Sequence, residues 1–415
     1  MADTKRKKIL LINHYAGSPA MGMEFRPYYL AREWVKMGHR VDILAADFSH
    51  LRTENPKVDH DFSYEMIDGI RYHWVRTRTY DGNGAARAIT MEQFLRKLWF
   101  AAKKISRKLE PDVIITSSTY PLDTFVGQRL RKTAKHAKLI HEVHDMWPAT
   151  LIEVGGMSKR NPFTVAMQIG ENSAYRNSDL VVSLPPLTEP YMREHGLEEG
   201  KWHHIPNGIV EEEWADPEPL PEEHRELLSR LRERGRFTVG YFGGHALSNA
   251  LDVLLDAAAK AEERSSRASF VLVGDGVEKE ALQEKAKQMG QREVYFLPKV
   301  PKKAVPSLVE WFDCSYVGAK NSSLYRFGLC MNKIFDSMMA GKPILCAIST
   351  PDDIITRNGA GVMVPSDAPE AIDAAVEAWE KAPAEELRQM GEQAHRAAVE
   401  KYTYRKLAED FSTLF

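Results

Sequence analysis

The residues whose types and spacing best suit chemistry lie between Asn321 and Pro343. Tyr325-Arg326-Phe327-Gly328-Leu329-Cys330-Met331 reads as a loop that breaks into a helix at Asn332, a favoured N-cap. Lys333 and Asp336 fall in its first turns, Gly341 closes it, and residues 343–347 follow as a strand. Free amides at a helix N-terminus, the Lys333 ammonium and the Arg326 guanidinium together make a seat for a diphosphate. Asp336, one turn in, is suited to accept hydrogen bonds from sugar hydroxyls. The same stretch also reads as an ordinary capped helix, and alone it does not decide.

A second cluster is His141-Glu142-Val143-His144-Asp145-Met146-Trp147-Pro148, at the end of a strand spanning 138–143. A metal would draw on His141, Glu142 and His144, but neighbouring strand residues point to opposite faces and no distal ligand is evident. Hydrogen bonding fits the position better: His144 and Asp145 contact a sugar or act on an acceptor proton, with Trp147 as a wall. His144 capping the strand is the plain alternative. Two glycine turns, Gly243-Gly244 and Gly274-Asp275-Gly276, let backbone amides approach a phosphate closely. The chain has no Ser-His-Asp order, Walker motif, zinc spacing or nucleic-acid module. With no obvious nucleophile, the expected catalysis is electrostatic, acting on a bound leaving group.

These residues need strands and helices to hold them. Residues 8–13 form an apolar run typical of a buried parallel strand, followed by a loop with Gly17, Pro19 and Gly22. A helix from about Glu24 to Met37 and a strand at 40–45 complete the opening of a doubly wound domain. The loop is not GxGxxG, which argues against a dehydrogenase. Residues 61–77 predict a hairpin turning at Asp68-Gly69, and 91–109 a basic amphipathic helix that either packs on the core or lies on an anionic membrane. Strands follow at 112–116, 138–143 and 179–183. From Phe237 the strand–glycine turn–helix pattern restarts, with helices at 249–261 and 277–289 and strands at 237–242, 269–273, 293–297 and 314–317. The expected organisation is an amino-terminal α/β domain over 1–205, a linker over 206–236 and a second α/β domain over 237–400. The terminal helix, about 401–415, is expected to pack back on the first domain, with a cleft between the two.

At 415 residues the chain suits two domains, and no apolar run approaches the roughly 18 residues that span a bilayer. Residues 9–13 are too short for a signal-peptide core, and three cysteines form no framework, so a cytoplasmic, reduced setting is expected. The first 205 residues carry a net +6 and the remainder −8. The basic half is one that an anionic acceptor or lipid headgroups would suit.

Taken together, the residues resemble a retaining glycosyltransferase of family 4 with the GT-B fold, over nearly the whole chain. Asn332-Lys333-Ile334-Phe335-Asp336-Ser337-Met338-Met339-Ala340-Gly341-Lys342-Pro343 is similar to the Pro-Asn-Lys-x-x-Glu-Tyr-Met-x-x-Gly-Lys-Pro segment of the branch that builds bacterial surface polysaccharides, such as the fucosaminyl transferases of O-antigen assembly. His144-Asp145, Pro206-Asn207-Gly208 and Gly274-Asp275-Gly276 match its His-Asp element and its two turns. The resemblance implies a nucleotide-diphosphate sugar donor, UDP-linked, carrying a hexose or an N-acetylated amino or deoxy sugar. It implies a glycan or undecaprenyl-diphosphate-linked acceptor, no metal or other cofactor, no nucleic acid, and work at the inner face of the membrane, with 91–109 as the contacting helix. His144, Asp145, Arg326 and Lys333 would be catalytic. Gly22, Gly243, Gly244, Gly274, Asp275, Gly276, Tyr325, Phe327, Gly328, Leu329, Asn332 and Asp336 would bind the donor, with Arg26 and Trp147 on the acceptor side. Two departures stand out. The family's first glutamate falls on Gly328 or Tyr325, depending on alignment, and the Arg and Lys usual after the glycine turn are absent from 245–249. A UDP-sugar epimerase of the same fold and an inactive scaffold are the competing readings.

Overall fold

The computed structural model describes residues 6–22, 25–80, 82 and 84–415. They gather into two compact units, 1–206 with 404–415, and 207–403. The expected helix start at Glu24 and residues 1–5 lie outside the described residues.

The first unit is built on eight strands: β1 (Lys8–Ile12), β2 (Arg40–Ala46), β3 (Ser63–Ile67), β4 (Ile70–Val75), β5 (Val113–Thr116), β6 (Lys138–Val143), β7 (Leu180–Ser183) and β8 (Trp202–His204). They lie in the order β3-β4-β2-β1-β5-β6-β7-β8, parallel except for the β3–β4 hairpin. That hairpin turns through Asp68 and Gly69, both at positive φ (49° and 80°), the two-residue geometry that matches strand twist. Its helices include α1 (Phe25–Lys36), α2 (Ala85–Leu109), α3 (Asp123–Thr133), α4 (Ala149–Glu153), α5 (Pro162–Asn177) and α6 (Glu189–Glu194). β1 is buried on both faces because helices cover both sides of a parallel sheet.

α2 begins six residues earlier than its apolar stripe suggests, since Ala85, Ala86 and Ala88 are strong helix formers. Phe94, Leu98, Ala102, Ile105 and Leu109 recur on one face and pack with Leu10, Ile12 and Ile114 of the sheet. Each buried Leu or Ile there contributes about 1.5–3 kcal/mol. The last helix, Tyr404–Ser412, lies on α1: Trp34 donates from Nε1 to the Ala408 carbonyl at 3.1 Å and meets the rings of Phe411 and Phe415 at 5.2 and 5.4 Å.

The second unit has β9 (Phe237–Phe242), β10 (Ala268–Val273), β11 (Val294–Leu297), β12 (Cys314–Gly318), β13 (Ile344–Ala347) and β14 (Gly361–Val364), all parallel, in the order β11-β10-β9-β12-β13-β14. Helices α7 (Glu211–Ala215), α8 (Glu222–Glu233), α9 (Leu251–Glu263), α10 (Lys279–Gln288), α11 (Val305–Val309), α12 (Asn332–Met339), α13 (Ile354–Arg357), α14 (Pro369–Lys381) and α15 (Ala384–Lys401) surround it. The stretch read as a linker, 206–236, supplies α7 and α8. Leu227, Leu228 and Leu231 of α8 are buried against Phe242 and Val271. The acidic, Pro-containing stretch 211–233, expected to be partly helix and partly linker, thus packs one apolar face on the sheet.

In both sheets the chain reverses its direction of growth beside the first strand, between β1 and β5 and between β9 and β12. Doubly wound sheets open a crevice at that switch, beyond the carboxyl ends of the strands. There the sequence places Gly243-Gly244 after β9 and the loop to α12 after β12.

Candidate functional site

The second unit's site starts at the two glycine turns. Gly274 and Gly276 sit at φ of 157° and 154°. A Cβ on Gly274 would lie 1.9 Å from the Gly243 carbonyl oxygen, and one on Gly276 2.4 Å from that of His245. The turns pack backbone on backbone, tied by His245 N–H to the Asp275 carbonyl at 2.8 Å. Only glycine fits so close an approach. Gly243, Gly244, Asp275 and Gly276 are exposed at this edge, and a Cβ on Gly244 would meet nothing.

Lys333 brings the cation to the turn. Its Nζ donates to Tyr241 Oη at 3.0 Å and Asn249 Oδ1 at 2.9 Å, and sits 4.5 Å over the Tyr241 ring. Tyr241 Oη and Asn249 Nδ2 both donate to the Gly244 carbonyl, at 2.6 and 2.8 Å. The ammonium is thus locked beside the glycine turn, and burial pulls it down to about 8. Lys333 is the second residue of an eight-residue helix whose first-turn amides have no partner within the helix. The N-cap is Met331 in extended conformation, and no side chain caps the end. Asn332 is therefore the first helical residue and not the cap expected of it; its side chain is exposed.

Asp336 lies three residues beyond Lys333, on the same helix face. Burial pushes its carboxyl up to about 7; Lys302 opposes the shift and Glu213 adds to it. Those two form an ion pair at 2.8 Å. His245 is fully buried between the turns, near the rings of Tyr241 and Phe296, with neither ring nitrogen hydrogen-bonded. Burial draws it down to about 4, so it is neutral at neutral pH.

The loop before α12 is a short 3-10 helix, Ser323–Phe327, ended by Gly328 at φ 91°. Phe327 and Leu329 turn inward and are buried, so they anchor the loop from beneath. Asp352 holds it too, accepting from Leu329 N–H at 2.9 Å while also accepting from Ile354 N–H, at the start of α13, at 3.2 Å. Tyr325 is half-buried and its carbonyl accepts from Thr350 Oγ1 at 2.7 Å. Arg326 is exposed, curled back to donate to the Ser323 carbonyl at 2.6 Å and lying 4.2 Å over the Phe327 ring. Asn207 of the Pro-Asn-Gly turn donates to the Cys330 carbonyl at 2.9 Å, bracing the same loop.

In the first unit, the end of β6 carries a buried network. Glu142 pairs with Arg26 at 2.9 Å, with side chains 1 % and 5 % exposed. Ser117 Oγ donates to Glu142 Oε2 at 2.6 Å, and His144 Nε2 lies 2.9 Å from both of those oxygens. Burial would raise the Glu142 carboxyl, but Arg26 and His144 beside it hold it well below the usual carboxylate range. The remaining Arg26 donors go to the carbonyls of Ile205 and Pro206. Arg26 therefore holds Glu142, which orients His144, and does not reach an acceptor as its place in the sequence suggested.

Asp145 is exposed but engaged. It accepts from Met146 N–H at 2.8 Å, Thr150 Oγ1 at 2.8 Å and Trp147 Nε1 at 3.1 Å, fixing the turn and the indole. Its carboxylate organises the Trp147 wall. His144, Trp147 and Tyr120 line one small hollow with the buried Glu171, whose carboxyl burial pushes up to about 7. His141 instead faces Thr116, Nδ1 to Oγ1 at 2.8 Å. Among the described residues no three metal-ligating side chains converge. Gly22 is a left-handed turn (φ 92°) packed on Thr53, where a Cβ would fall 2.2 Å from Oγ1. Sequence reading missed Tyr241, Asn249, Ser117 and Asp352. They come from separate strands, turns and loops that the fold brings to Lys333, His144 and Leu329, and no local spacing signals it.

Residues 21–213 match the family model Glycosyltransferase Family 4, and residues 236–381 match Glycosyl transferases group 1. No curated protein sequence matches the chain. Among solved structures, HepE of Anabaena in complex with UDP and glucose is 16% identical, with a TM-score of 0.66 over 99% of each chain. Sucrose-phosphate synthase of Thermosynechococcus elongatus is 17% identical, with a TM-score of 0.72 over 99% of this chain and 98% of that one. A glycosyltransferase of Rickettsia africae is 12% identical, with a TM-score of 0.70 over 99% and 97%. At such identity these neighbours establish the fold. With the two matched segments on its two parallel-sheet units, the chain is a glycosyltransferase of GT-B architecture, family 4 in its amino-terminal half and group 1 in its carboxyl-terminal half.

Proposed function

We propose that the protein is a retaining transferase that moves a hexose or an N-acetylated amino or deoxy sugar from a UDP-linked donor. The acceptor in this reading is a glycan or a lipid-linked oligosaccharide of bacterial surface polysaccharide synthesis. The observation that carries the donor half is the fixed Lys333 ammonium beside the exposed Gly243-Gly244 turn, at the amino end of α12. An anion there meets a cation, a helix N-terminus and open backbone together. Asp336, one turn on, takes the ribose hydroxyls. Arg326 swings from its present contacts onto the diphosphate. Charge on the leaving group is met by these cations and amides without a metal or other cofactor. In the first unit His144, oriented by Glu142 and Ser117, presents a hydrogen-bonding group suited to a sugar hydroxyl.

HepE has been solved with UDP and with UDP-glucose, which supports UDP as the first nucleotide to try. An epimerase would need acid and base carboxylates beside the sugar. Glu142 is instead held ionised by Arg26 and Asp145 fixes a turn, which favours the transferase. Exposed Lys103, Lys104, Arg107 and Lys108 on α2 support peripheral contact with an anionic membrane. No helix among the described residues is long and apolar enough to cross one. The test is a thermal-shift screen of nucleoside diphosphates, then transfer from the stabilising nucleotide's sugars. UDP should raise the melting temperature; a preference for another nucleotide, or none, would overturn the donor assignment.

A further inference from the structure

Beside the His144 hollow, α2, α3 and α5 leave an open apolar groove of about 510 Å³. Leu95 and Trp99 of α2 form one wall, Leu122 and Phe125 the other, and Phe163 and Met167 the floor. Its volume is that of a small-molecule site, and from Ala88 to Trp99 the α2 wall runs about 16 Å. The rim leaves large apolar side chains in water: Phe100 is 74% exposed and Trp99 37%. A monomeric surface rarely keeps such a contiguous patch without a use.

Cations stand at both ends. Arg96 and Glu92 line the groove as an ion pair at 2.8 Å, Arg129 lies 4.3 Å over the Trp99 ring, and Lys103 is exposed one turn further along α2. At the other end the Phe163 ring meets Trp147 at 6.3 Å, and the Arg87 guanidinium lies 5.8 Å over that same indole. Trp147 also lines the hollow that holds His144. An apolar trough ending at a cation–aromatic pair beside a polar hollow has the chemistry of an amphiphile seat, tail in the trough and anionic head at the pair.

We propose that this groove binds the hydrocarbon chain of an anionic amphiphile, with its head group toward Arg87 and Trp147. As the seat of a lipid-linked acceptor it rests on the transferase reading above; as a binding site it does not.

The experiment titrates monomeric decyl phosphate, below its micellar concentration, into the full-length protein and follows tryptophan fluorescence, with inorganic phosphate as the comparison. Decyl phosphate should bind saturably, and Ala88→Trp, which fills the groove from its rim, should weaken it at least about tenfold, the scale on which apolar pockets discriminate. Circular dichroism and an unchanged melting temperature report that the variant is folded. Binding no tighter than inorganic phosphate, or unchanged in Ala88→Trp, overturns the proposal. Binding only to phosphatidylglycerol vesicles, and not to the monomer, overturns it as well and leaves a surface contact. If decyl phosphate binds as expected while UDP gives no shift, the groove stands and the donor reading falls.

Discussion

Lys333 owes its position to partners far away in the chain, and its protonation to burial among them. Its ammonium, drawn down to about 8, is lost from the free protein as pH rises through that value, and a bound diphosphate pulls the proton back. The Asp336 carboxyl, pushed up to about 7, is protonated below that and is then a poorer acceptor for hydroxyls. UDP affinity should therefore peak between about 7 and 8 and fall on either side, with proton uptake on the alkaline limb, as calorimetry in buffers of different ionisation enthalpy would measure. An affinity flat from pH 6 to 9 would contradict both roles. Lys333→Ala should lower transfer about 10²–10³-fold, as removing one charge-stabilising donor does elsewhere. In the first unit, Arg26→Met leaves Glu142 buried without its guanidinium partner and should cost about 3–5 kcal/mol in urea unfolding. Arg26→Met with Glu142→Leu should recover much of that loss. The importance of Lys333 was legible in the sequence because a helix start announces itself locally. The Tyr241 and Asn249 that hold it were not, because they lie 92 and 84 residues away and only the tertiary fold brings them to it.

At the scale of elements, the glycine turns and the loop before α12 do the positioning. Gly276→Ala would press a methyl onto the His245 carbonyl at a φ that L-residues avoid. It should cost about 1–3 kcal/mol and weaken UDP binding more than it lowers stability, by calorimetry against thermal unfolding. Asp352→Ala removes the acceptor that ties the Leu329 amide of the loop to the start of α13. It should raise the donor KM several-fold with a smaller change in kcat; an unchanged KM would mean the loop keeps its shape without it. Most elements were readable from apolar period and punctuation, hairpin included. Two local readings shifted for physical reasons. Asn332 yields the cap to Met331, because the chain enters α12 extended one residue earlier. Residues 206–236, read as partly helical linker, join the second unit from 207 on, because the Leu227-Leu228-Leu231 face of α8 packs on Phe242 and Val271.

At the scale of the whole molecule, two doubly wound sheets carry the site residues at their carboxyl ends, and the last helix returns to the first unit. Ending the chain at Thr403 would strip Phe411 and Phe415 from Trp34 and should destabilise that unit by about 3–5 kcal/mol, the scale of losing a buried aromatic. Scanning calorimetry should show it as one lowered transition, with the transition of 207–403 unmoved. Alternating strands and glycine turns made the paired α/β architecture legible. The buried Arg26–Glu142–His144 chain was not, since Arg26 joins the Glu142–His144 stretch from a segment 116 residues away. The central claim is that the Lys333 end of α12 and the Gly243-Gly244 turn seat the donor's diphosphate. Isothermal titration of UDP into the wild type and Lys333→Ala at pH 7.5 tests it most directly. The account predicts saturable one-to-one binding that the variant loses; equal affinity in both would contradict it.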